Sequence, residues 1–435
     1  MNTPNTLTSI EKKQLDKKLI WRVLVVLFLS YIMCTIDRMN LSFAKIQMAE
    51  SIPSLTDKVF GLAAGIFFIS YVLFEIPSNL LFPKIGARRT FSRIMVLWGL
   101  TTVAMMFVQG PTSFYVLRIL LGIFEAGFAP GMVFYLTYWY SNQDLGKATA
   151  ATMSAGAISG VIGGPIAGWI IAHFDTHASL MGWQWMFLIE GGITVILGVC
   201  VYFLLADHPE QAKWLTQKEK AYLASYSAFA TEKNKVKGQF LSVLKDFRVY
   251  LMSYSYFCVI ACLYIINFWL PTMLKEAGIQ DIQTIGKLTS IPWLIAIVCM
   301  FLAAKSSDYF KERRFHSGLL MLLGTLVLIS SCFLPHSIHT IMITMSIATA
   351  LMMASYTVFW TIPSEYFAGN TAAGAIALIN SIGLMGGFAS PTIMGWLKEA
   401  TGSTQSGIII FSVLMGIGSI VILCNNYRAA LQKRA

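Results

Sequence analysis

The stretch GLLMLLGTLVLISSCFLP, residues 318–335, runs for 18 residues without a charged side chain. A run of this length and composition allows an α-helix to cross the hydrocarbon core of a bilayer. Residues 21–36, 59–74 and 94–117 carry at most one charged side chain each, at the border. These stretches predict a protein that crosses a membrane several times.

The composition of the whole chain agrees with that prediction. Of the 435 residues, 56% are hydrophobic and 12% are charged, whereas soluble proteins carry about 25% charged residues. The mean hydropathy is +0.65. The apolar runs are continuous, whereas the strands of a membrane β-barrel alternate over segments of about ten residues. Because a helix satisfies its own backbone hydrogen bonds in hydrocarbon, we predict an all-α membrane protein.

About twelve spans can be assigned, numbered here in chain order. The polar segment 207–249 divides them six and six, which suggests a duplicated architecture of two pseudo-symmetric six-helix bundles. Short basic turns, PKIGARR at 83–89 and SSDYFKERR at 306–314, follow spans 2 and 8 and support the duplication. The predicted spans are residues 21–47, 57–82, 91–109, 112–140, 147–172, 183–205, 250–274, 281–304, 316–334, 338–362, 371–397 and 406–425.

The net charge of +11 follows the topology of the chain. With both termini in the cytoplasm, about 25 Lys and Arg residues fall in cytoplasmic segments and about 5 outside, as the positive-inside rule requires. This placement argues against a nucleic-acid partner. We expect a multi-pass protein of the inner or plasma membrane, surrounded by the lipid bilayer. Its predicted parts are a cytoplasmic N-terminal segment, 1–20, a first six-helix bundle, 21–205, a cytoplasmic central loop, 206–249, a second bundle, 250–425, and a cytoplasmic tail, 426–435.

Cysteine and histidine residues give no sign of a metal site. All seven Cys residues fall in apolar spans, so neither a disulfide framework nor a Cys-based metal site is predicted. The six His residues lie mostly at span ends or in loops. Because no nucleophile–base pair or ligand cluster stands in a span, we predict that the protein is not an enzyme and uses no cofactor or metal.

Charged side chains inside the spans are the candidates for function. Each costs roughly 2.5–3.5 kcal/mol at a helix centre, so those present usually face a cavity and work there. Arg118 and Glu125 are nearly two helical turns apart on span 4 and therefore point the same way. Asp37 and Arg38 stand together in span 1. We interpret these four residues as a functional polar cluster; structural ion pairs between spans 1 and 4 are the alternative.

Other residues of the spans favour structural roles. Glu75 in span 2 and Glu190 in span 6 are either further functional acids or hydrogen-bond partners of neighbouring helices, and we favour the second role. Closely spaced glycines in span 5, between Gly156 and Gly168, and in span 11, from Gly383 onward, predict close helix packing.

The four charges of the polar cluster suggest a coupling scheme. In the empty site Glu125 is ionised and paired within the cluster. Protonation of Glu125 frees the arginines to take the carboxylate of a substrate, and both charges then cross the membrane nearly neutralised. Two arginines inside the membrane favour anionic cargo, so the predicted partners are a small organic anion and protons.

Several segments of the chain also carry the pattern of a known family. They are distributed over both halves and over the start of the central loop. The segments are DRMN at 37–40, FFISYVLFEIP at 67–77, GARR at 86–89, RILLGIFEAG at 118–127, DHPEQAKWL at 207–215 and YIINFWLP at 264–271.

With these segments the chain resembles the major facilitator superfamily, specifically its anion:cation symporter family of organic-acid and sugar-acid:proton symporters. The resemblance runs from span 1 to span 12. It implies proton-linked carboxyl groups at Glu125 and Asp37, and contacts with the substrate carboxylate from Arg38 and Arg118. The cavity-lining groups that it implies are Tyr71 and Asn380, with Tyr264, Asn267 and Trp360 added by position, where each could equally serve helix packing.

The resemblance also implies a function. In that superfamily two six-helix halves rock between outward-open and inward-open states, so we expect a monomer that transports a small carboxylate with protons. A sugar acid, a tartrate-like acid or an aromatic acid fits this expectation. Two motifs depart from it: KIGARR at 84–89 lacks the usual acidic residue, and GVIGGPIAG at 160–168 resembles a motif of antiporters. A metabolite or drug exporter, or an anion exchanger of the same fold, is therefore the alternative.

Overall fold

The computed structural model describes residues 7–225, 240–367 and 370–425, and within these ranges the regular structure is helical throughout. The predicted tail, 426–435, lies outside the described residues, as do parts of the N-terminal segment and of the central loop. The helices are α1 Ser9–Leu19, α2 Val25–Ser51, α3 Asp57–Ile85, α4 Ala87–Ala104, α5 Pro111–Glu125, α6 Phe128–Leu136, α7 Asn142–Met153, α8 Ala155–Phe174, α9 Gly182–Leu204, α10 Gln217–Ala224, α11 Phe240–Lys245, α12 Phe247–Glu276, α13 Ile282–Phe310, α14 Arg314–Ser331, α15 Ile338–Phe359, α16 Thr361–Tyr366, α17 Asn370–Thr401 and α18 Gln405–Cys424.

Twelve helical units of the described chain are long and apolar enough to cross a membrane, which confirms the predicted number of spans. Spans 1, 4, 5 and 10 each combine two helices, α1–α2, α5–α6, α7–α8 and α15–α16, and the other spans are the single helices α3, α4, α9, α12, α13, α14, α17 and α18. Span 1 begins at Ser9, well before the predicted residue 21. The reason is a capping box between Thr8 and Glu11, which starts a helix within the polar N-terminal segment.

The spans form two groups of six with matching contacts. In the first group span 1 packs on span 5, span 2 on span 4, and span 3 on span 6. In the second group span 7 packs on span 11, span 8 on span 10, and span 9 on span 12. Each pair in the first group therefore recurs six spans later, which confirms the two pseudo-symmetric six-helix bundles. Two further pairs, spans 2 and 11 and spans 5 and 8, join the halves and are exchanged by the same symmetry.

Glycines permit the close approach at both of these junctions. A Cβ atom on Gly61 of span 2 would lie 3.0 Å from the Cα atom of Gly395 in span 11. A Cβ atom on Gly164 of span 5 would lie 2.7 Å from the carbonyl oxygen of Gly286 in span 8. Contacts this short exclude a side chain, so the glycine runs of spans 5 and 11 serve the predicted close packing.

One face of the molecule carries both the N-terminal helix α1 and the helix α10 of the central loop. Six spans separate these helices, so they meet on the same side, which we name the connector face; the opposite side is the distal face. Lys18 bonds Glu219 at 2.8 Å, and Lys218 bonds Glu11 at 2.7 Å. Burial alone would raise the pKa of Glu219, but the bonds from Lys18 and from the Thr216 amide outweigh it and lower the pKa.

The distal face is closed by a charged network across the two halves. Asp57, at the start of span 2, forms an ion pair with Lys45 of span 1 at 2.6 Å and lies 3.4 Å from the ammonium group of Lys398 in span 11. Lys398 also pairs with Glu276 at 2.5 Å. The Lys45 ammonium stands 3.6 Å from the centre of the Trp269 ring in span 7. One carboxylate thus compensates two largely buried lysines that belong to different halves.

Replacement of Asp57 by Asn should weaken distal closure, because Lys45 and Lys398 then face each other without their shared carboxylate. We expect a loss of about 1.5–3 kcal/mol, the range of hydrogen bonds to charged groups. That corresponds to roughly a 10- to 150-fold shift toward the distal-open state. The distance between spin labels at positions 54 and 403, in distal loops of the two halves, measures the shift in pulsed electron–electron resonance.

The matched control for this experiment is Glu50→Gln. Glu50 pairs with Lys275 across the same two halves, but its side chain is 69% exposed, so its ion pair contributes about 0–1 kcal/mol. Glu50→Gln should leave the label distances nearly unchanged. Equal distance distributions in Asp57→Asn and the unsubstituted protein would show that Asp57 does not hold the distal face closed.

Candidate functional site

A buried ion pair joins span 1 to span 4. The guanidinium of Arg38 donates to Oε1 of Glu125 through Nε at 2.6 Å and approaches the same oxygen with Nη2 at 2.5 Å. The thiol of Cys34, one turn before Arg38, also donates to this oxygen, at 3.2 Å. Glu125 is fully buried, and its second oxygen, Oε2, has no partner. One carboxylate oxygen therefore accepts from both Arg38 and Cys34, and the other accepts from neither.

Span 4 is interrupted directly after Glu125. Helix α5 ends there, Ala126 is extended, and Gly127 has a φ of 87° before α6 begins at Phe128. A left-handed conformation costs other residues roughly 1–2 kcal/mol, so glycine is what permits the break. Non-helical backbone at this depth is tolerated where it is buried in protein or lines a cavity. This break was not predicted from the sequence, although EAGFAPG at 125–131 contains the Gly and Pro residues that signal one.

Aromatic rings surround the Arg38 guanidinium. Its Cζ atom lies 5.1 Å from the centre of the Tyr71 ring and 5.5 Å from that of Phe67, both in span 2. Tyr264, from span 7 of the other half, packs edge-on against Phe68 at 4.7 Å. The structure thus brings Tyr71 close to Arg38, and places Tyr264 at the junction of the two halves beside span 2.

Arg118 is buried on the same span as Glu125 but bonds elsewhere. Its Nε atom donates to the carbonyl oxygen of Ala63 at 3.0 Å, and its Cζ atom lies 5.0 Å from the centre of the Phe67 ring. In the part of the chain that the structure describes, no Asp or Glu lies within ion-pair distance of Arg118. A buried guanidinium is costly without a counter-charge in contact, and the contacts of Arg118 are a carbonyl oxygen and an aromatic ring.

Asp37 is separated from the Arg38–Glu125 pair. Consecutive residues of a helix point about 100° apart, so Asp37 and Arg38 contact different neighbours. The Trp98 indole of span 3 donates to Oδ2 of Asp37 at 2.5 Å, and Thr194 of span 6 donates to the same oxygen at 3.4 Å. The four predicted charges therefore occupy two places rather than one cluster, with Asp37 on the side of spans 3 and 6.

The predicted residues of the second half fall into two groups. Asn380 of span 11 accepts from the Tyr256 hydroxyl at 3.5 Å, and the Trp360 ring stands edge-on to the Tyr256 ring at 4.9 Å. Asn267 instead lines a cavity between the halves, together with Trp293 of span 8. The structure therefore joins Asn380 to Trp360 through Tyr256, a residue that sequence reasoning missed, and places Asn267 apart from them.

Cys34 was also missed, although its position one helical turn before Arg38 places both on one face of span 1. No comparable signal marks Tyr256, whose role depends on packing between distant spans.

Within the described ranges, no group of three His, Cys, Asp or Glu side chains is placed to hold a metal ion. The contacts of the site are ion pairs, hydrogen bonds and aromatic contacts between side chains.

Twelve spans in two related halves, with a buried arginine–carboxylate pair between span 1 and an interrupted span 4, define a membrane transporter. The family model described as Major Facilitator Superfamily matches residues 27–391. The chain therefore belongs to the major facilitator superfamily. It is a multi-pass membrane transporter and not an enzyme, as the resemblance in the sequence predicted.

The names of several relatives agree with this assignment. A Pseudomonas putida protein, NicT, that is named for metabolite transport is 37% identical over 95% of this chain and 93% of its own length. A protein of Agrobacterium vitis that is named for tartrate transport is 39% identical over 94% of this chain and 93% of its own. A quinolone resistance transporter of Acinetobacter baumannii is 36% identical over 94% of both chains.

A solved structure supports the fold. The D-xylose–proton symporter superimposes with a TM-score of 0.75, covering 93% of this chain and 97% of its own, at 15% sequence identity. A likeness at this identity concerns the fold alone. The arrangement of twelve helices thus matches that of another transporter despite little sequence in common.

The interruption of span 4 predicts the effect of Gly127→Ala. The added Cβ atom would meet Oγ of Ser78 at 2.6 Å, and the φ of 87° is unfavourable for alanine. We expect a loss of about 1–2 kcal/mol of stability. The midpoint of thermal denaturation in detergent should fall.

Gly146→Ala is the control, because a Cβ atom there meets nothing within 4 Å and Gly146 lies inside a helix. This variant should leave the midpoint unchanged or raise it. Equal midpoints for the two variants would contradict the assigned role of Gly127.

Proposed function

We propose that this transporter carries a small organic carboxylate across the cell membrane together with protons. The Arg38–Glu125 pair is the observation that supports the proposal most strongly. It places a cation and a carboxyl group in contact, inside the membrane, with one carboxylate oxygen free of partners. In such a pair, Arg38 can exchange the carboxylate of Glu125 for the carboxylate of a substrate.

The exchange balances in charge. In the empty site the carboxylate of Glu125 neutralises Arg38. When a proton binds Glu125, the acid becomes neutral, and Arg38 takes the carboxylate of the substrate instead. Arg38 has one negative partner before and after, while one proton and one carboxylate have been added. A proton alone would leave Arg38 without a counter-ion, and a carboxylate alone would have to compete with Glu125 for Arg38, so substrate and proton are coupled at this pair.

Arg118 and the aromatic residues support carboxylate as the cargo. The Arg118 guanidinium is fully buried and contacts a backbone carbonyl and an aromatic ring rather than an acid. A guanidinium presents parallel N–H donors that match a carboxylate. We assign contacts with the rest of the substrate to Tyr71, Tyr264, Asn267, Trp360 and Asn380. Hydroxyl and amide groups of this kind suit a sugar acid or a tartrate-like acid, and the rings suit an aromatic acid.

The transport movement is assigned to the two bundles, 21–205 and 250–425. The distal face is closed by the ion pairs of Asp57 and by the glycine contacts between the halves. Rocking of one bundle against the other is the proposed route from this state to the state that is open at the distal face. The central loop, 206–249, joins the moving halves. We place both termini and this loop in the cytoplasm, because the basic residues concentrate there. The proposed unit is a monomer in the inner or plasma membrane.

A second candidate is export, or exchange of anions. The relative named for quinolone resistance supports export of an organic compound by this type of chain. The glycines of span 5 fit either direction, because they serve the contact with span 8. Two buried arginines favour anions as cargo in both cases, so the direction of coupling to protons separates the candidates.

The proposal predicts proton uptake with carboxylates. Purified protein in liposomes, with a pH dye inside, is challenged with sugar acids, tartrate, small dicarboxylates and aromatic acids. We expect internal acidification with one class of carboxylate. Glu125→Gln should abolish proton-driven accumulation while exchange of substrate across the membrane continues, because glutamine cannot gain or lose the proton. Glu210→Gln, an exposed acid in the central loop, is the control and should behave as the unsubstituted protein.

Neutral sugars and organic cations complete the panel. A response to organic cations with none to carboxylates would favour export of cationic drugs and reject the carboxylate assignment. Full proton-driven accumulation by Glu125→Gln would reject the coupling scheme while leaving transport itself intact.

Arg38→Gln should weaken binding of the carboxylate. A charge-assisted hydrogen bond contributes about 1.5–3 kcal/mol, which corresponds to roughly a 10- to 150-fold rise in Kd. Isothermal titration of the purified variant with the responding carboxylate measures the change. Arg22→Gln, at an exposed position between α1 and α2, serves as the control and should retain the Kd. An unchanged Kd in Arg38→Gln would remove Arg38 from the substrate site.

A further inference from the structure

A second pair of carboxyl groups lies between spans 1 and 6, apart from the Arg38–Glu125 pair. Asn40, one turn after Asp37 on span 1, donates to Oε2 of Glu190 at 3.1 Å. Thr194, one turn after Glu190 on span 6, donates to Oδ2 of Asp37 at 3.4 Å and to the backbone oxygen of Glu190 at 3.0 Å. The two acids thus share a patch that is about one turn long on each of two packed helices.

Both acids are deeply buried and incompletely bonded. Asp37 is 1% exposed and Glu190 is 2% exposed. Oδ1 of Asp37 and Oε1 of Glu190 have no hydrogen-bond partner. A carboxylate buried in this way without a compensating cation is costly, and the usual result is that the group binds a proton.

The surrounding charges do not provide that compensation. Among the described residues, no Lys or Arg lies within ion-pair distance of either acid. Asp37 is the charged group that faces Glu190, and the two repel each other when both are ionised. Span 3 has its three arginines near the connector face, and α8 of span 5 has its one titratable residue, His173, at its distal end. Asp37 also experiences the charges of Glu125 and Arg118 from span 4.

We propose that Glu190 is a proton-binding residue of the transport cycle. This role rests on the function proposed above. Glu190 and Asp37 share one proton that moves with each turnover, in addition to the proton that Glu125 binds. The unpartnered oxygens, Oδ1 and Oε1, are the atoms that hold it. Asn40, Trp98 and Thr194 position the two carboxyl groups by donating to their other oxygens.

The geometry of span 1 provides the coupling. Arg38 and Asp37 are consecutive, so a displacement of span 1 when Arg38 exchanges Glu125 for a substrate also changes the separation of Asp37 from Glu190. In the present state the pair is closed to solvent on all sides. The proton binds to one carboxylate, converting it to the neutral acid, while the pair is open to one side of the membrane, and it dissociates to restore the carboxylate when the pair opens to the other side. No other bond forms or breaks.

Glu190→Gln tests this inference. Glutamine keeps the shape of the side chain and can still accept from Asn40, but it cannot release a proton. The ratio of protons to substrate is measured in liposomes that contain the full chain and a fixed concentration gradient of the responding carboxylate. The pH difference across the membrane at which net flux of the carboxylate stops gives this ratio. We expect the ratio to fall by one in Glu190→Gln, with accumulation retained through Glu125 and the Kd of the substrate changed less than twofold. A residue that served packing alone would leave both the ratio and the pH profile of transport unchanged.

Thr102→Val is the matched control, since Thr102 is a buried polar residue of span 3 one turn after Trp98 and outside both carboxyl pairs. It should keep the ratio of the unsubstituted protein. If Glu190→Gln does not fold, Asp37→Asn provides the second variant, with the same expected ratio. Infrared difference spectra of the unsubstituted protein, with and without substrate, provide a third measurement, in which more than one carboxyl group should change protonation.

The outcomes distinguish this inference from the proposed function. Carboxylate transport without any proton movement in the unsubstituted protein would reject the proposed function. Proton-coupled transport with an identical ratio and pH profile in Glu190→Gln would reject only the role of Glu190. A change of a single carboxyl group in the infrared spectra would also reject it and leave Glu125 as the coupling acid.

Discussion

The ion pair between Arg38 and Glu125 is the interaction on which the site depends. Transfer of two charges from water into a protein interior costs several kcal/mol for each ion, and their attraction compensates only when contact is close and hydrogen-bonded. The structure meets that condition with distances of 2.6 and 2.5 Å and a further donor from Cys34. It does so by ending α5 at Glu125, where Gly127 turns the chain. The pair therefore holds span 1 against span 4, and in the proposed exchange the substrate carboxylate at Arg38 must satisfy the same requirement.

The number and nature of the spans followed from the sequence because hydrocarbon leaves few alternatives: an apolar run of sufficient length must be helical. The same cost of burial identified four charged residues of spans 1 and 4 as candidates for function: Asp37, Arg38, Arg118 and Glu125. Their partners were not predictable, because they depend on how far each span is rotated about its axis. One residue separates Asp37 from Arg38, yet 100° of rotation sends one toward Trp98 and the other toward Glu125. For Tyr256, which links Asn380 to Trp360, three spans had to be placed before the contact could be recognised.

Closure of the distal face combines two kinds of contact with different consequences. Glycine contacts at the junctions of spans 2 and 11 and of spans 5 and 8 have no directionality, so the helices can separate without leaving polar groups unpaired. The pairs of Asp57 with Lys45 and Lys398 are directional, and their loss leaves charges that water must then solvate. Opening is therefore possible only if water reaches the lysines as the halves part. Because this network lies at the edge of the membrane rather than at its centre, that condition can be met.

Span 1 is the element common to all three charged regions. Cys34, Arg38 and Lys45 recur at intervals of four and seven residues, so they form one face that meets Glu125 in the site and Asp57 at the distal end. Asp37 and Asn40 lie on another face and meet spans 3 and 6. A rigid helix cannot move one face without moving the other. In the proposed cycle, a change of partner at Arg38 would therefore be transmitted both to the distal network and to the carboxyl groups behind span 1, through a single helix and without any chain of intermediate residues.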